Sequence, residues 1–591
     1  MSIIQKQYKA RTWCFDLLLL TTFLILLFGL FLGSRPLSTP DEARYSEIPR
    51  EMLVLHDFVT PHLNGVKYFE KPPLMYWMQA ASIKLLNPSS EETAHYPAAK
   101  VSAVSKTSPT HSINEWVVRT PNALIALLGC LFLYTAGRLL FDRKTGVLSA
   151  VILATSFLYF TLARMVTLDM SLAVFLSSSL LVFLAAVNFP QGPKRRYLCY
   201  VSYSFSALAV LTKGLVGIVF PVMIVGLWIL LTHQWRLLRQ IYLPTGILLF
   251  LLIVLPWHIF VQLRNPEFFH FYFIDQQFLR YSTLIAKRYQ PTWFFIPIFF
   301  AGFLPWIVFL FQAIAVNFPK TRQQIKEKSN HIFLLLWIGI VFIFFSLSHS
   351  KLIPYILPIF PAAALLTGHY LSTPAEHRGI QWGTIVLPFI WLTLGVLGII
   401  WLFVNSSVDL PKSGIPFLVA GYSVFLLGSS LTAFFYKKRC VKTAFIMLTM
   451  GSAISFIIFA TGIPSVDTRS IRPLVQILKP LLDANDKVVS FENYYQDLPF
   501  YLNHRVMTAN VTGELSFGMQ HQDTKSWMLS LPSFWHLWYS RQGVFMIAPK
   551  TLYQTSLKNK KSIYFLGATT DDVLLSNHAV QKNRCVTKEE M

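Results

Sequence analysis

Charged residues are scarce in this sequence, and acidic ones especially so. Only 13% of its 591 residues are charged, 54% are hydrophobic, and the mean hydropathy is +0.49. These values lie outside the range of soluble globular chains and are typical of a protein with many membrane spans. The 28 acidic residues face 51 lysines and arginines, a formal charge of +23. Since basic residues accumulate in cytoplasmic loops, this excess needs no nucleic-acid partner.

Cysteine is almost as rare, and phosphate-binding motifs are missing. Of five cysteines, only Cys585 falls on the predicted outer side, which excludes an intrachain disulfide there. We find no zinc-type cysteine cluster, no internal repeat and no glycine-rich phosphate motif. The sequence therefore argues against an ATP-driven pump and predicts no nucleotide cofactor.

Long apolar runs are abundant. A span needs roughly 20 mostly apolar residues, and thirteen segments qualify, of which the fifth and sixth are short and could form one broken span. The thirteen segments are 14–33, 116–138, 146–163, 170–188, 198–212, 214–232, 241–260, 292–315, 331–347, 352–370, 380–403, 415–436 and 441–463.

The basic residues give these spans a direction. With the N-terminus in the cytoplasm, the cytoplasmic connections are basic, as in the Lys194-Arg195-Arg196 run. Only the 371–379 connection is weakly basic, with Arg378 alone. We therefore expect a transmembrane domain at 1–464 with outer loops at 34–115 and 261–291. Short apolar runs at 487–491, 543–548 and 562–567 predict a small outer α/β domain over 465–591.

The first outer loop begins with "STPDEARYSEIPREML", which predicts a helix at the membrane surface. Thr39 as N-cap, followed by Pro40 and by Glu42 three positions after the threonine, predicts a capping box. Capping leaves Asp41 only partly explained. Asp41, Arg44 and Tyr45 share one helical face, so they could also line an outer cavity.

The same loop contains "YFEKPPLMYW", in which Glu70 and Lys71 precede two prolines. Lys71 lies where the positive-inside rule disfavours it, so it predicts either an anionic partner or snorkelling to lipid phosphate. In "ARMVTLDM", Asp169 lies at or near membrane depth, which indicates a functional site or an ion pair with Arg164.

Further cations lie at outer positions against the same bias: Lys213, Arg280 and Lys351, the last near Tyr355 in "SHSKLIPYILPIFPA". Lysine and arginine form strong charge-assisted hydrogen bonds to phosphate. We therefore expect these turns to converge on an anionic lipid head group.

Together with "LTKGLVGIVFP", these motifs resemble the signature of the polyprenyl-phosphate-dependent membrane glycosyltransferases of the GT-C fold. The sequence is most similar to the lipid A aminoarabinose transferases, relatives of the protein O-mannosyltransferases. The similarity covers most of the chain, including "YYQDLPFYLNHRV" and "GELSFG" in the last domain.

The resemblance implies transfer of 4-amino-4-deoxy-L-arabinose from undecaprenyl phosphate to a lipid A phosphate, with inversion at the anomeric carbon. The reaction would take place on the periplasmic face of the bacterial inner membrane, where the protein also contacts membrane lipids. Asp41 matches the catalytic aspartate, and Asp169 supports the site. Lys71, Lys213 and Arg280, with Tyr355, would stabilise the departing phosphate. Arg44, Tyr45, Glu70 and Lys351 complete the predicted substrate-binding set.

The resemblance also implies a divalent metal such as zinc, held by Glu70 and by a histidine of the second outer loop. This chain has Gln276-Gln277 where the family pattern has a histidine. Glutamine is a poor zinc ligand compared with imidazole or carboxylate, although His270 or Asp275 could substitute for the histidine.

Two other functions remain open at this stage. The fold could act on another sugar or acceptor, as in protein mannosylation. A lipid transporter is the third possibility, although transporters usually place charges near the bilayer midplane and not at one face.

Overall fold

The computed structural model describes residues 3–87, 113–279, 289–373, 378–404, 413–462, 469–511 and 513–580. Within these ranges, eight helices are long and apolar enough to cross a membrane, or ten if each of two bent helix pairs counts as one span. The chain is a multi-pass membrane protein, as its composition predicts, and it divides into two compact units.

The first unit, here called the helical unit, comprises Met1–Ser34, Phe69–Met75 and Arg119–Val466. Its α-helices, two of which begin or end in the other unit, are Ile3–Gly29, Leu74–Leu86, Glu115–Leu140, Arg143–Ala154, Phe157–Ala163, Leu168–Asn188, Pro193–Lys213, Val216–Thr232, Leu243–Arg264, Phe295–Gly302, Ile307–Asn317, Arg322–Glu327, Ser329–Leu347, Phe360–Ser372, Arg378–Val404, Ile415–Lys437 and Val441–Gly462. A π-helix, His270–Leu279, and a 3₁₀ helix, Ile353–Ile359, complete the parts that bear on the site.

Every segment predicted to span the membrane is helical, although not all are uniform rods. The predicted third and eighth spans are the bent pairs, with bends of 67° after Ala154 and 109° after Gly302. Val216–Thr232 is apolar but shorter than a full span. The count of thirteen spans therefore stays a prediction, since length and composition support ten.

The second unit, here called the α/β unit, comprises Arg35–Tyr68, Tyr76–Val118 and Asp467–Met591. Its strands are β1 (His62–Leu63), β2 (Val66–Lys67), β3 (Lys487–Phe491), β4 (Met507–Ala509), β5 (Met528–Leu529), β6 (Val544–Pro549), β7 (Tyr564–Ala568) and β8 (Asp572–Ser576). Its α-helices are Asp41–Leu55, Arg472–Leu478, Asp497–Leu502, Ser516–Gln520, Leu531–Trp538 and Lys550–Leu552. The sequence predicted β3, β6 and β7 and missed the others, of which β4 and β5 have only three and two residues.

Strands β3 to β8 form one sheet in the order β5-β4-β3-β6-β8-β7. The first four of these are parallel, and β8 runs antiparallel to both β6 and β7. Strand β6 is buried over almost its whole length, as expected for a strand covered on both faces. The sheet therefore forms the core of a small α/β domain, as the sequence predicts.

The α/β unit includes residues that the sequence analysis assigned to the transmembrane domain. The predicted boundary lay near 464/465, whereas 35–68 and 76–118, which include most of the first outer loop, group with the C-terminal segment. Buried Asn64, in the β1–β2 turn, makes this connection: its amide donates to the Val506 carbonyl at 3.1 Å and accepts from the Val506 N–H at 3.0 Å. Trp527 Nε1 donates to the Asn64 carbonyl at 3.1 Å.

Replacing Asn64 with alanine is expected to loosen the α/β unit. The substitution leaves a buried N–H and a buried carbonyl without partners, at a cost of about 1–3 kcal/mol each. Asn64 also has a φ of 52°, a conformation that alanine adopts less readily. Hydrogen exchange measured by mass spectrometry should show faster exchange over residues 504–510. The exposed Asn559→Ala variant is the control, and equal exchange in both variants would contradict this role.

Candidate functional site

The two predicted site residues Asp169 and Lys213 form an ion pair in the helical unit, in which Asp169 is buried and Lys213 is partly buried. Asp169 lies in the first turn of Leu168–Asn188, where Thr167 caps the helix and accepts from the Asp169 N–H at 3.2 Å. Lys213 is the last residue of Pro193–Lys213, and its ammonium lies 4.2 Å from the Tyr355 ring centroid. A carboxylate at a helix N-terminus and a cation at a helix C-terminus are both favoured by the helix dipoles.

This pairing decides one alternative that the sequence left open. The sequence offered Arg164 as a partner for Asp169, whereas the ion pair of Asp169 is with Lys213. Arg164 donates to the carbonyls of Leu27 and Phe28 at 3.3 and 3.0 Å. The cluster of Asp169, Lys213 and Tyr355 therefore presents a fixed cation over an aromatic face.

Gly214, directly after Lys213, brings the second loop against this cluster. Its φ is +95°, and a Cβ there would lie 2.6 Å from Gln277 Nε2 and 2.8 Å from the Tyr272 hydroxyl. Only glycine combines this backbone conformation with such close approach. Gln277 thus packs beside Lys213.

The Glu70-Lys71 segment reaches the same region through aromatic contacts. Phe69 packs edge-on against Phe268 at 5.5 Å between centroids, and Phe268 stacks on Tyr272 at 5.1 Å. The Tyr272 hydroxyl in turn lies against Gly214, the residue after Lys213. These contacts connect the segment that bears Lys71, a buried lysine, to the region of Lys213.

Lys351, the predicted cation of the turn after Ser329–Leu347, binds backbone carbonyls. Its ammonium donates to the carbonyls of Ser348 and Gln290 at 2.5 and 2.9 Å, and burial lowers its pKa. These contacts tie the turn after Ser329–Leu347 to the end of the second loop. Arg280, the remaining predicted cation, lies outside the described residues.

The helix Asp41–Leu55 forms as predicted, but its N-terminus differs from the predicted capping box. Pro40, not Thr39, is the N-cap, and no side chain caps the helix. The Thr39 hydroxyl donates to the Arg469 carbonyl at 3.1 Å, and the Glu42 carboxylate accepts from Arg35 at 2.8 Å and from the Ser38 N–H at 2.9 Å. Partners outside the motif therefore replace the local cap.

Asp41 and Arg44 meet on one face of this helix, as their spacing predicts. Their closest charged atoms are 3.4 Å apart, and the Asp41 side chain is half exposed. Arg44 is buried: it donates to the Tyr68 hydroxyl at 3.0 Å, lies 2.8 Å from a Glu514 carboxylate oxygen, and sits 5.6 Å from the Tyr45 ring centroid. The guanidinium is thus held in place and leaves Asp41 accessible.

Glu514 is the contact that the sequence analysis did not single out. It lies in the quoted "GELSFG" segment, 470 positions after Arg44. The only available signal was an acidic residue inside a motif that already resembled the family.

The other side of the same helix is a buried acidic cluster. Arg50 binds Glu47 through two hydrogen bonds, at 2.7 and 2.5 Å. Burial and the neighbouring Glu47 raise the pKa of Glu51 to about 8, and Glu51 accepts from the Gly65 N–H at 3.0 Å. This side supports the helix, whereas the Asp41 side is open to a ligand.

The metal site that the resemblance implies stays a prediction. Among the residues that the structure describes, no group of three or more His, Cys, Asp and Glu side chains could hold a metal ion. His270 and Asp275 approach each other at 3.6 Å, with His270 largely exposed. Gln276 and Gln277 occupy the positions where the family pattern has a histidine.

Two protein-family models match parts of the chain. Residues 110–260 match the dolichyl-phosphate-mannose-protein mannosyltransferase family, and residues 474–577 match the aminoarabinose transferase C-terminal domain. The first region contains Asp169 and Lys213, and the second contains Glu514.

Similar proteins agree with these matches. The chain is 28% identical over 533 residues to an undecaprenyl phosphate-alpha-4-amino-4-deoxy-L-arabinose arabinosyl transferase of Proteus mirabilis, which covers 88% of this chain and 90% of that protein. A similarly named Sodalis glossinidius protein is 31% identical over 344 residues, 58% of this chain and 57% of that protein. The crystal structure of ArnT from Cupriavidus metallidurans bound to undecaprenyl phosphate matches with a TM-score of 0.81 at 26% identity, over 95% of this chain and 98% of that one.

Breaking the Asp169–Lys213 pair is expected to destabilise the helical unit. The Lys213→Met variant leaves a buried carboxylate unpaired, at a cost of about 3–5 kcal/mol. The thermal unfolding midpoint of the purified protein should fall. The double variant Asp169→Asn, Lys213→Met should recover most of the loss, because no charge then remains unpaired.

The exposed Lys320→Met substitution serves as the control for removing a lysine. A double variant no more stable than the single one would show that the ion pair does not account for the effect.

Proposed function

Because the chain belongs to the family of the undecaprenyl-phosphate aminoarabinose transferases, glycosyltransferases of the GT-C fold, we propose that it transfers 4-amino-4-deoxy-L-arabinose from undecaprenyl phosphate to a phosphate of lipid A. The match to ArnT over almost the whole of both chains carries this proposal. The reaction takes place on the periplasmic face of the inner membrane, with the N-terminus in the cytoplasm. The basic cytoplasmic connections support this orientation.

The chemistry divides between two events at the anomeric carbon. The bond from this carbon to the donor phosphate breaks, and the electron pair leaves with undecaprenyl phosphate. A lipid A phosphate oxygen then bonds the opposite face of the sugar, which inverts the configuration. Developing negative charge on the departing phosphate is stabilised by Lys213, which Asp169 and Tyr355 hold in place, and by Lys71.

Asp41 acts at the sugar. A phosphate acceptor is already ionised, so no base is required to remove a proton from it. The Asp41 carboxylate, oriented by Arg44, instead stabilises the cation-like sugar or positions the acceptor. With a hydroxyl acceptor, Asp41 would be the general base.

The family match over 110–260 favours one alternative, a polyprenyl-phosphate-sugar transferase with a hydroxyl acceptor such as a protein side chain. Incubating the donor with lipid A and, separately, with a serine- and threonine-rich peptide distinguishes the two by product mass. Lipid A that gains the mass of the sugar supports the proposal. A glycosylated peptide together with unmodified lipid A overturns it.

The Asp41→Ala variant is expected to lose transfer by about a hundredfold or more, since removing one preorganised electrostatic group commonly costs that much. Turnover of donor with lipid A, followed by mass spectrometry, measures the loss. The exposed Asp523→Ala variant is the control for removing an aspartate from the same unit. An Asp41→Ala enzyme with the control's rate would refute the assigned role.

Removal of divalent cations is expected to leave transfer unchanged. The described residues contain no group of three or more His, Cys, Asp and Glu side chains that could hold a metal ion, and glutamine binds zinc poorly. Initial rates after EDTA treatment and desalting should equal those of untreated enzyme. A loss that added zinc reverses would establish a metal requirement.

A further inference from the structure

A cleft in the α/β unit has no role in the mechanism above. It has a volume of about 740 Å³ and lies at the carboxyl ends of the central strands β3 and β6. Its walls come from the segments after β3 and β6, from the β7–β8 turn, and from Thr39-Pro40. Pockets that enclose small ligands have about 300–1,000 Å³, so the size suits a head group.

The topology of the sheet explains why the cleft lies there. From β3 the chain continues outward to β4 and β5, and then returns to β6 on the other side of β3. The connections after β3 and β6 therefore diverge at their carboxyl ends. Crevices of this kind, at a switch point of a parallel sheet, are where open α/β domains bind ligands.

The lining of the cleft carries both signs of charge. Arg469 and Lys550 contribute cations, and Asp571 and Asp572 contribute carboxylates. Asp572 pairs with Pro549 in the β6–β8 register and accepts from the Tyr495 hydroxyl at 2.6 Å. Lys550 is partly buried, and its ammonium has no hydrogen-bond or ion-pair partner in the part of the chain that the structure describes.

This mixture selects a class of ligand. The two aspartates would repel a purely anionic ligand, and Arg469 and Lys550 would repel a purely cationic one. A sugar that bears a phosphate satisfies both sets, because lysine and arginine bind the phosphate while carboxylates accept from sugar hydroxyl or amino groups.

Contacts link this cleft to the predicted reaction site. Gln496, which lines the cleft, donates to Glu514 at 2.7 Å. Glu514 lies 2.8 Å from Arg44, which lies 3.4 Å from Asp41. Thr39 and Pro40 also line the cleft and directly precede Asp41 in the chain.

We propose that the cleft binds the phosphorylated sugar head group of the acceptor and holds it beside Asp41. The proposal rests on the function proposed above for the identity of the acceptor, but binding of a sugar phosphate is a property of the cleft alone. Lys550 is then an acceptor-binding residue.

The test uses purified full-length protein in detergent and glucosamine 1-phosphate as the probe, followed by saturation-transfer NMR titration. The Lys550→Ala variant should weaken binding about tenfold, the usual scale for losing one charge-assisted hydrogen bond. Lys550→Arg, which keeps the charge, should restore most of it. Lys558→Ala, an exposed lysine outside the cleft, is the matched control and should bind as wild type does.

Two comparisons separate the ligand class. Glucosamine without phosphate and inorganic phosphate should each bind much more weakly than the probe. Equal affinity of Lys550→Ala and wild type for the probe would overturn the proposal, and so would inorganic phosphate that binds as tightly as the sugar phosphate.

Transfer assays separate this proposal from the proposed function. In Lys550→Ala, KM for lipid A should rise about tenfold while KM for the undecaprenyl-phosphate donor stays unchanged. A rise in the donor KM instead would contradict an acceptor site. If wild-type protein transfers no sugar, the proposed function fails, and probe binding by wild type and Lys550→Ala still decides the role of the cleft.

Discussion

The need to satisfy buried charges shapes both units of this protein. A charge that is removed from water without a partner costs several kcal/mol, and a chain with so few charged residues has few partners available. Asp169 with Lys213 joins the start of one helix to the end of the next. Arg44 with Glu514 joins the helix Asp41–Leu55 to the C-terminal segment of the α/β unit.

The same pairing explains how a reactive arrangement can be rigid. Lys213 is held by a carboxylate on one side and an aromatic ring on the other, and the glycine after it lets Gln277 and Tyr272 pack closely. Arg44 is buried while Asp41 stays half exposed. In each unit, therefore, one charge holds its partner in place, as the proposed electrostatic stabilisation of a transferring sugar phosphate requires.

The candidate site was predictable at the level of residues but not of contacts. Asp169 and Lys213 were recognisable because an ionisable residue in an apolar context is unusual. Their partnership was not, since Arg164 is closer in sequence and equally plausible as a partner. Lys351 met the same criterion, yet it binds backbone carbonyls. Hydropathy identifies a misplaced charge and does not identify what surrounds it.

The capping box shows the same limit within a single turn. Thr39 and Glu42 have the required spacing, and a local motif is all that sequence can evaluate. In the folded chain Glu42 instead accepts from Arg35, and the Thr39 hydroxyl donates to the Arg469 carbonyl, because folding brings these groups within hydrogen-bond distance. Strands β4 and β5 were missed for a related reason: segments of two or three residues have too little periodicity to detect.

The sequence by itself determined the membrane character, the order of the apolar helices, the helix Asp41–Leu55 and three strands of the C-terminal sheet. Each of these depends on the polarity of residues that are neighbours along the chain. Tertiary structure alone decided that 35–68 belongs with the C-terminal segment, that Glu514 holds Arg44, and that a charged cleft lies where the sheet reverses its order. These features join segments up to several hundred residues apart, and no local pattern of polarity records which distant group satisfies a buried charge.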